Sequence, residues 1–185
     1  MKNIVFAALV VSGLVAVPNP AGASGEIADD CAYRLVATGE RRGITTAQPA
    51  LIGCFMTYEA AIEAGLGGSV DIAAGTTVEQ LTDAVLATGS GDELIGTEWN
   101  QTGYGGGSKS YFASSTCSAS NSWEVDYVTD TWNDLFSSGR GFGGCDRNRK
   151  FEDSNFGGAS LLCTPNCTNY GSLSNQVSSL RWRAD

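Results

Sequence analysis

Residues 132–158 read WNDLFSSGRGFGGCDRNRKFEDSNFGG, and this stretch joins two short patterns. The first is Asn133-Asp134-x-x-Ser137-Ser138: two adjacent side chains bearing carbonyl or carboxylate oxygen, two spacers, then two hydroxyls. The second is Phe151-x-x-x-x-Phe156-x-Gly158. Its spacing predicts a strand ending on the first aromatic and a fold-over that packs the second aromatic beside it. The glycine would take a backbone shape that other residues resist.

Both patterns occur twice. Trp99-x-x-x-x-Tyr104-x-Gly106 answers the aromatic pattern at an offset of 52 residues, and Ser174-Asn175-x-x-Ser178-Ser179 answers the oxygen-rich turn at an offset of 41. The order is hairpin, turn, hairpin, turn. Each half has room for four short strands, and four antiparallel strands with a long return connection make a Greek key. Two such keys pack face to face as a sandwich.

Before the repeat the chemistry is different. Lys2, the apolar run Ile4–Val17 and the ending Pro18-Asn19-Pro20-Ala21-Gly22-Ala23 predict an export signal, residues 1–23, removed after Ala23. The run is short for a membrane span, so a soluble, secreted, extracellular product is expected. Residues 24–90 predict a small α+β module. Tyr33–Ala37 and Ala50–Met56 read as strands around a turn at Glu40-Arg41-Arg42-Gly43, with Cys31 and Cys54 placed to pin them. Thr57 can cap a helix that Gly65 stops, with Tyr58, Ile62 and Leu66 on one face. A second helix is expected after Thr77, where Gln80 completes a capping box and Val78, Leu81 and Val85 make a stripe. The small polar run Ala87–Glu93 reads as a linker to a mainly β domain over residues 91–185.

Composition narrows the function. The 185 residues carry 11 Lys and Arg against 20 Asp and Glu, a net charge of −9, so a nucleic-acid footprint is absent. There is no histidine, which excludes Ser-His-Asp and Cys-His catalysis and the common zinc-hydrolase sites. No carboxylate pair stands out for acid–base work, so a non-enzymatic role is expected. The six cysteines of an exported chain predict disulfides. Four lie in the β domain and allow three pairings; Cys117–Cys145 with Cys163–Cys167 is the favoured one. The last pair would tie the loop Thr164-Pro165-Asn166, a rigid shape suited either to stapling a small domain or to occluding a protease.

The repeat resembles the βγ-crystallin superfamily over about residues 94–183. The stretches that carry the resemblance are WNQTGYGG, WNDLFSS, GFGGCDRNRKFEDSNFGG and LSNQVSSLRW. Within it the likeness is to exported bacterial members, including the proteinaceous metalloproteinase inhibitors of this fold, and CFMTYEAAIEAGLGG looks like the leading part of some secreted actinobacterial relatives. The resemblance implies a double Greek-key sandwich whose oxygen-rich turns bind calcium, each with the hairpin of the other half. Carried over, site one combines Asn133, Asp134 and Ser137 with Glu152 and Asp153. Site two combines Asn175 and Ser178 with Asn100 and Gln101. Site two has no carboxylate and Ser174 at its first position, so it should be the weaker, because calcium affinity follows ligand charge. The function implied is that of a secreted, monomeric calcium-binding protein with peptidase inhibition as its activity and an extracellular protease as its partner. An antimicrobial toxin or a structural extracellular protein is the alternative.

Overall fold

A computed structural model describes residues 29–86 and 91–185. The expected export signal at residues 1–23 lies outside them, as do residues 87–90 of the expected linker. Among the described residues no helix is long and apolar enough to cross a membrane.

The first key consists of β3 (Glu93–Trp99), β4 (Ser108–Ala113), β5 (Ser122–Val125) and β6 (Ser138–Gly141). The second consists of β7 (Arg147–Phe151), β8 (Ser160–Cys163), β9 (Asn166–Cys167) and β10 (Ser179–Arg183). The keys exchange their third strands: β5 pairs with β10, and β9 pairs with β6. Sheet one is therefore β4-β3-β6-β9 and sheet two is β8-β7-β10-β5. The protein is mainly β, with a C-terminal double Greek-key sandwich preceded by a small α+β segment.

The two hairpins obey the same backbone rules. Trp99 and Tyr104 have ring centroids 5.0 Å apart, and Phe151 and Phe156 are 5.5 Å apart. Tyr104 and Phe156 have φ of 62° and 63°, and Gly106 and Gly158 have φ of 73° and 69°. At Gly158 an added Cβ would also lie 2.8 Å from Asp153 Oδ2. Gly158→Ala is expected to cost about 1–3 kcal/mol through the left-handed backbone alone. Thermal unfolding of the variant checks this.

The leading segment is hydrogen-bonded into the same sheet. β1 (Asp30–Arg41) and β2 (Ile44–Phe55) form a long hairpin; β1 extends past both of its expected ends, while β2 begins well before Ala50 and stops short of Met56. Its two-residue turn is Arg42-Gly43, both at positive φ, which matches the right-handed twist of paired strands. β1 runs parallel to β4 over Asp30–Arg34, and β2 runs parallel to β5 over Ile44–Ala47. The hairpin thus fills the gap where the first key crosses from one sheet to the other, and a ten-stranded order results: β8-β7-β10-β5-β2-β1-β4-β3-β6-β9. The boundary read near residue 90 separates elements that share one sheet. Three disulfides join Cys31 to Cys54, Cys117 to Cys145 and Cys163 to Cys167.

Helix α1 (Tyr58–Gly65) is capped by Thr57, whose Oγ1 accepts from the Ala60 amide at 3.3 Å. It packs Ala61, Ile62 and Leu66 on the outer face of sheet one, against Leu94, Trp99, Phe112 and Phe142. Sheet one is therefore covered on both sides, and β3 and β4 are buried almost throughout. The expected helix after Thr77 needs correction. The chain makes one turn there, with Gln80 Oε1 accepting from the Thr77 amide at 2.8 Å, breaks, and restarts as the short α2 (Asp83–Leu86). Val78 and Leu81 reach the core, but Val85 is 40% exposed, so a continuous stripe is not buried and packing does not sustain a longer helix. Among the described residues sheet two keeps an open outer face, and side chains alternate between accessible and buried over Arg147–Lys150 of β7 and Leu180–Arg183 of β10.

Candidate metal centre at the paired turns

The turns 133–138 and 174–179 lie against each other about a pseudo-two-fold axis. Asp134 and Asn175 occupy equivalent left-handed positions, with φ of 60° and 59°. The Asp134 amide donates to Val177 O at 3.3 Å, and the Asn175 amide donates to Phe136 O at 2.9 Å. Side chains repeat the exchange. Ser178 Oγ donates to Asp134 Oδ1 at 3.5 Å, a weak contact at the limit of hydrogen-bond length, and Ser137 Oγ donates to Asn175 Oδ1 at 3.1 Å.

This exchange regroups the residues named from the sequence. Ser137 stands with Asn175, and its amide donates to Trp99 O at 2.8 Å, beside Asn100. Ser178 stands with Asp134, and its amide donates to Phe151 O at 2.9 Å, beside Glu152. One set is then Asn133, Asp134 and Ser178 with the second hairpin; the other is Asn175 and Ser137 with the first hairpin. The Glu152 carboxylate is turned partly into its own hairpin, where Oε2 accepts from the Ala159 amide at 2.9 Å. Asp153 and Gln101 each contribute a backbone carbonyl to a serine: Ser179 Oγ donates to Asp153 O at 2.7 Å, and Ser138 Oγ donates to Gln101 O at 2.6 Å.

The ligand sets carried over from the turn pattern did not include these two serines. Each also accepts a hairpin amide, Ser138 from Tyr104 at 3.1 Å and Ser179 from Phe156 at 3.0 Å. They clamp each turn to the hairpin of its own key. The signal was the second hydroxyl of the turn pattern, present in both copies.

Among the described residues four buried side-chain oxygens have no hydrogen-bond partner, and two of them, Asn133 Oδ1 and Asn100 Oδ1, lie at the junctions of turn and hairpin. Asn133 Nδ2 is engaged, donating to Asp134 Oδ2 at 2.8 Å, so its amide dipole is oriented. Asn100 Oδ1 sits where a Cβ on Gly106 would be 2.0 Å away, beneath the hairpin. An unpartnered buried carbonyl is costly in a dry site and is relieved by a cation. Among the described residues no three Asp, Glu, His or Cys side chains converge, so an ion here would be held mainly by neutral oxygens. That donor set suits a hard cation such as calcium and not a transition metal.

Thr164 and Pro165 connect β8 to β9, which begins at Asn166. The Pro165 carbonyl accepts from the Gly141 amide at 3.1 Å and from Asn148 Nδ2. Its backbone is committed inward, and Thr164 and Asn166 are exposed.

No protein-family model matches the chain, and no curated protein matches it. Solved βγ-crystallin structures do. One from an archaeon is 22% identical, covering 48% of this chain and 96% of its own, with a TM-score of 0.35. A domain from Flavobacterium johnsoniae is 24% identical, covering 49% and 96%, with a TM-score of 0.36. A βγ-crystallin from Ciona intestinalis is 21% identical, covering 49% and 98%, with a TM-score of 0.36. The fold of the C-terminal half is defined by its own strand order, with each key lending its third strand to the other sheet.

Proposed function

We propose that this is an exported calcium-binding protein whose ions clamp the two Greek keys together at the paired turns. The single observation that carries the reading is the pair of unpartnered buried amide oxygens, Asn133 Oδ1 and Asn100 Oδ1, one at each junction of turn and hairpin. The stronger site would use Asn133, Asp134 and Ser178 with Glu152; the weaker would use Asn100, Asn175 and Ser137. Only the first set contains carboxylates, and oxygen-ligand charge sets calcium affinity. Calcium would stabilise the fold by binding the native state alone. The role is binding and not catalysis. Three disulfides suit an oxidising compartment and support export. Peptidase inhibition through Thr164, Pro165 and Asn166 is left out of this proposal, because the Pro165 carbonyl is already engaged within the sandwich.

Calorimetric titration with calcium tests it. Wild type should bind with a matching rise in Tm, and Asp134→Ala should weaken the stronger site at least tenfold. Ser178→Ala should weaken that same site, and Ser137→Ala the other. Absence of heat and of any Tm change in wild type would overturn the proposal. If Ser137→Ala instead weakens the site that Asp134→Ala removes, the serine exchange is wrong.

A further inference from the structure

We propose that Arg147, Arg149, Arg181 and Arg183 form a binding site for a doubly charged tetrahedral oxyanion, a phosphate or sulfate group, on the open face of sheet two. The placement follows from the strand pattern. Asn148, Lys150, Leu180 and Trp182 are fully buried, so the alternate residues of β7 and β10 point outward. Register sets Arg149 directly opposite Arg181 and Arg147 directly opposite Arg183. Like charges directly across a strand pair are destabilising, and here two such pairs stack side by side.

The concentration is not a consequence of a basic chain. Net charge is −9, with 11 basic side chains in all, and four of them share this one patch. Two others, Lys109 and Lys150, are fully buried, and Arg34 is paired with Asp92 elsewhere.

Neutralisation is incomplete. Glu124 Oε2 lies 2.9 Å from Arg181 Nε, and it is the single carboxylate in ion-pair contact with the four guanidiniums among the described residues. Arg149 Nη1 donates to Ser160 Oγ at 3.1 Å. Arg183 Nε is buried without a hydrogen-bond partner among the described residues. Four positive charges against one negative leave an excess of three. Together with Leu162 and Ala184 the four arginines line a concavity of about 280 Å³.

The chemistry selects the ligand class. Guanidinium forks bind the oxygens of phosphate, sulfate and carboxylate in pairs. A monocarboxylate would satisfy one of the three excess charges, whereas a tetrahedral dianion satisfies two and offers enough oxygens to reach across both strands. The shallow site leaves room for whatever the group is attached to. Burial, and then crowding by Arg181, Arg147 and Arg149, lowers the Arg183 pKa against the opposing pull of Glu124, and a bound anion would relieve the crowding.

Titration in calcium-free buffer at constant ionic strength tests this, with inorganic phosphate and glucose 6-phosphate as probes and chloride as the reference salt. Binding of inorganic phosphate alone supports a free-ion site, and binding of both supports one that takes a phosphomonoester. Arg147→Gln is the first variant, since Arg147 is exposed and its removal should leave the fold intact. It should lose at least fivefold in phosphate affinity, and Arg147→Gln/Arg183→Gln at least twentyfold, while melting no lower than wild type without phosphate because repulsion is removed. Arg34→Gln changes net charge equally at a distant position and should leave affinity unchanged. A wild-type response no greater than that to chloride, or equal losses in Arg34→Gln and Arg147→Gln, would overturn the site.

Discussion

Glu98→Leu is expected to destabilise the protein by about 3–5 kcal/mol, the usual result of leaving one charge of a buried pair uncompensated. Glu98 on β3 and Lys150 on β7 are both 0% exposed, and Lys150 Nζ contacts Glu98 Oε1 across the sandwich. Tyr170 Oη donates to Glu98 Oε2, so the carboxylate is the acceptor for two buried donors. Burial pushes the Glu98 carboxyl up and the Lys150 amine down, and each is held back by the other's opposite charge. Removing Glu98 strands both the ammonium and the phenol. The double variant Glu98→Leu/Lys150→Met should recover most of the loss, since an apolar pair of similar volume replaces a buried ion pair at little cost. Urea unfolding of the four proteins in this cycle measures both numbers. A single variant within about 1 kcal/mol of wild type would show that the pair is solvated. The pair also has structural meaning: its members are 52 residues apart, the same offset that relates the two hairpins, so they are equivalent positions meeting at the centre of the sandwich.

Stability should rise with pH between about 7 and 9 through the buried amine of Lys109. Lys109 on β4 is buried, and its Nζ donates to Val128 O and to Thr129 Oγ1 at 3.1 Å while lying 4.0 Å from the centre of the Tyr33 ring. Burial pulls its amine down to about 7. An unfolded lysine titrates near 10.4. Between these values the unfolded chain binds the proton and the native chain does not, so unfolding becomes less favourable as pH rises, by up to about 1.4 kcal/mol per pH unit. Burial raises the Tyr33 and Tyr111 phenols that face the amine, so both stay neutral in this window. Comparing wild type with Lys109→Met isolates the effect. The variant should be flatter by about 2 kcal/mol from pH 7 to 9, and equal slopes would show that the amine stays charged in the native state.

Much of the local structure was legible because local chemistry decides it. Thr57 caps α1 through its own hydroxyl, and Arg42-Gly43 turns the leading hairpin because both can take positive φ. The aromatic pairs Trp99/Tyr104 and Phe151/Phe156 needed only a five-residue reach and a glycine beyond. The Thr77 segment misled because a capping box and a stripe are present, but the core accepts Val78 and Leu81 and leaves Val85 outside. The candidate site was legible as a list of oxygens but not as groups, since which serine joins Asp134 and which joins Asn175 depends on how the two turns face each other.

By itself, then, the chain determined its repeat, its turns, its hairpins and the oxygen-bearing side chains at their junctions. The turns and hairpins are each specified within about ten residues by backbone sterics and side-chain hydrogen bonding. Tertiary structure alone decided three things: that β1 and β2 fill the gap between β4 and β5, that Ser137 and Ser178 trade places between the turns, and that four arginines share one open face. The physical reason is common to all three. They depend on register and packing between segments distant along the chain, where the pleat chooses which side chains meet and local propensity has no say.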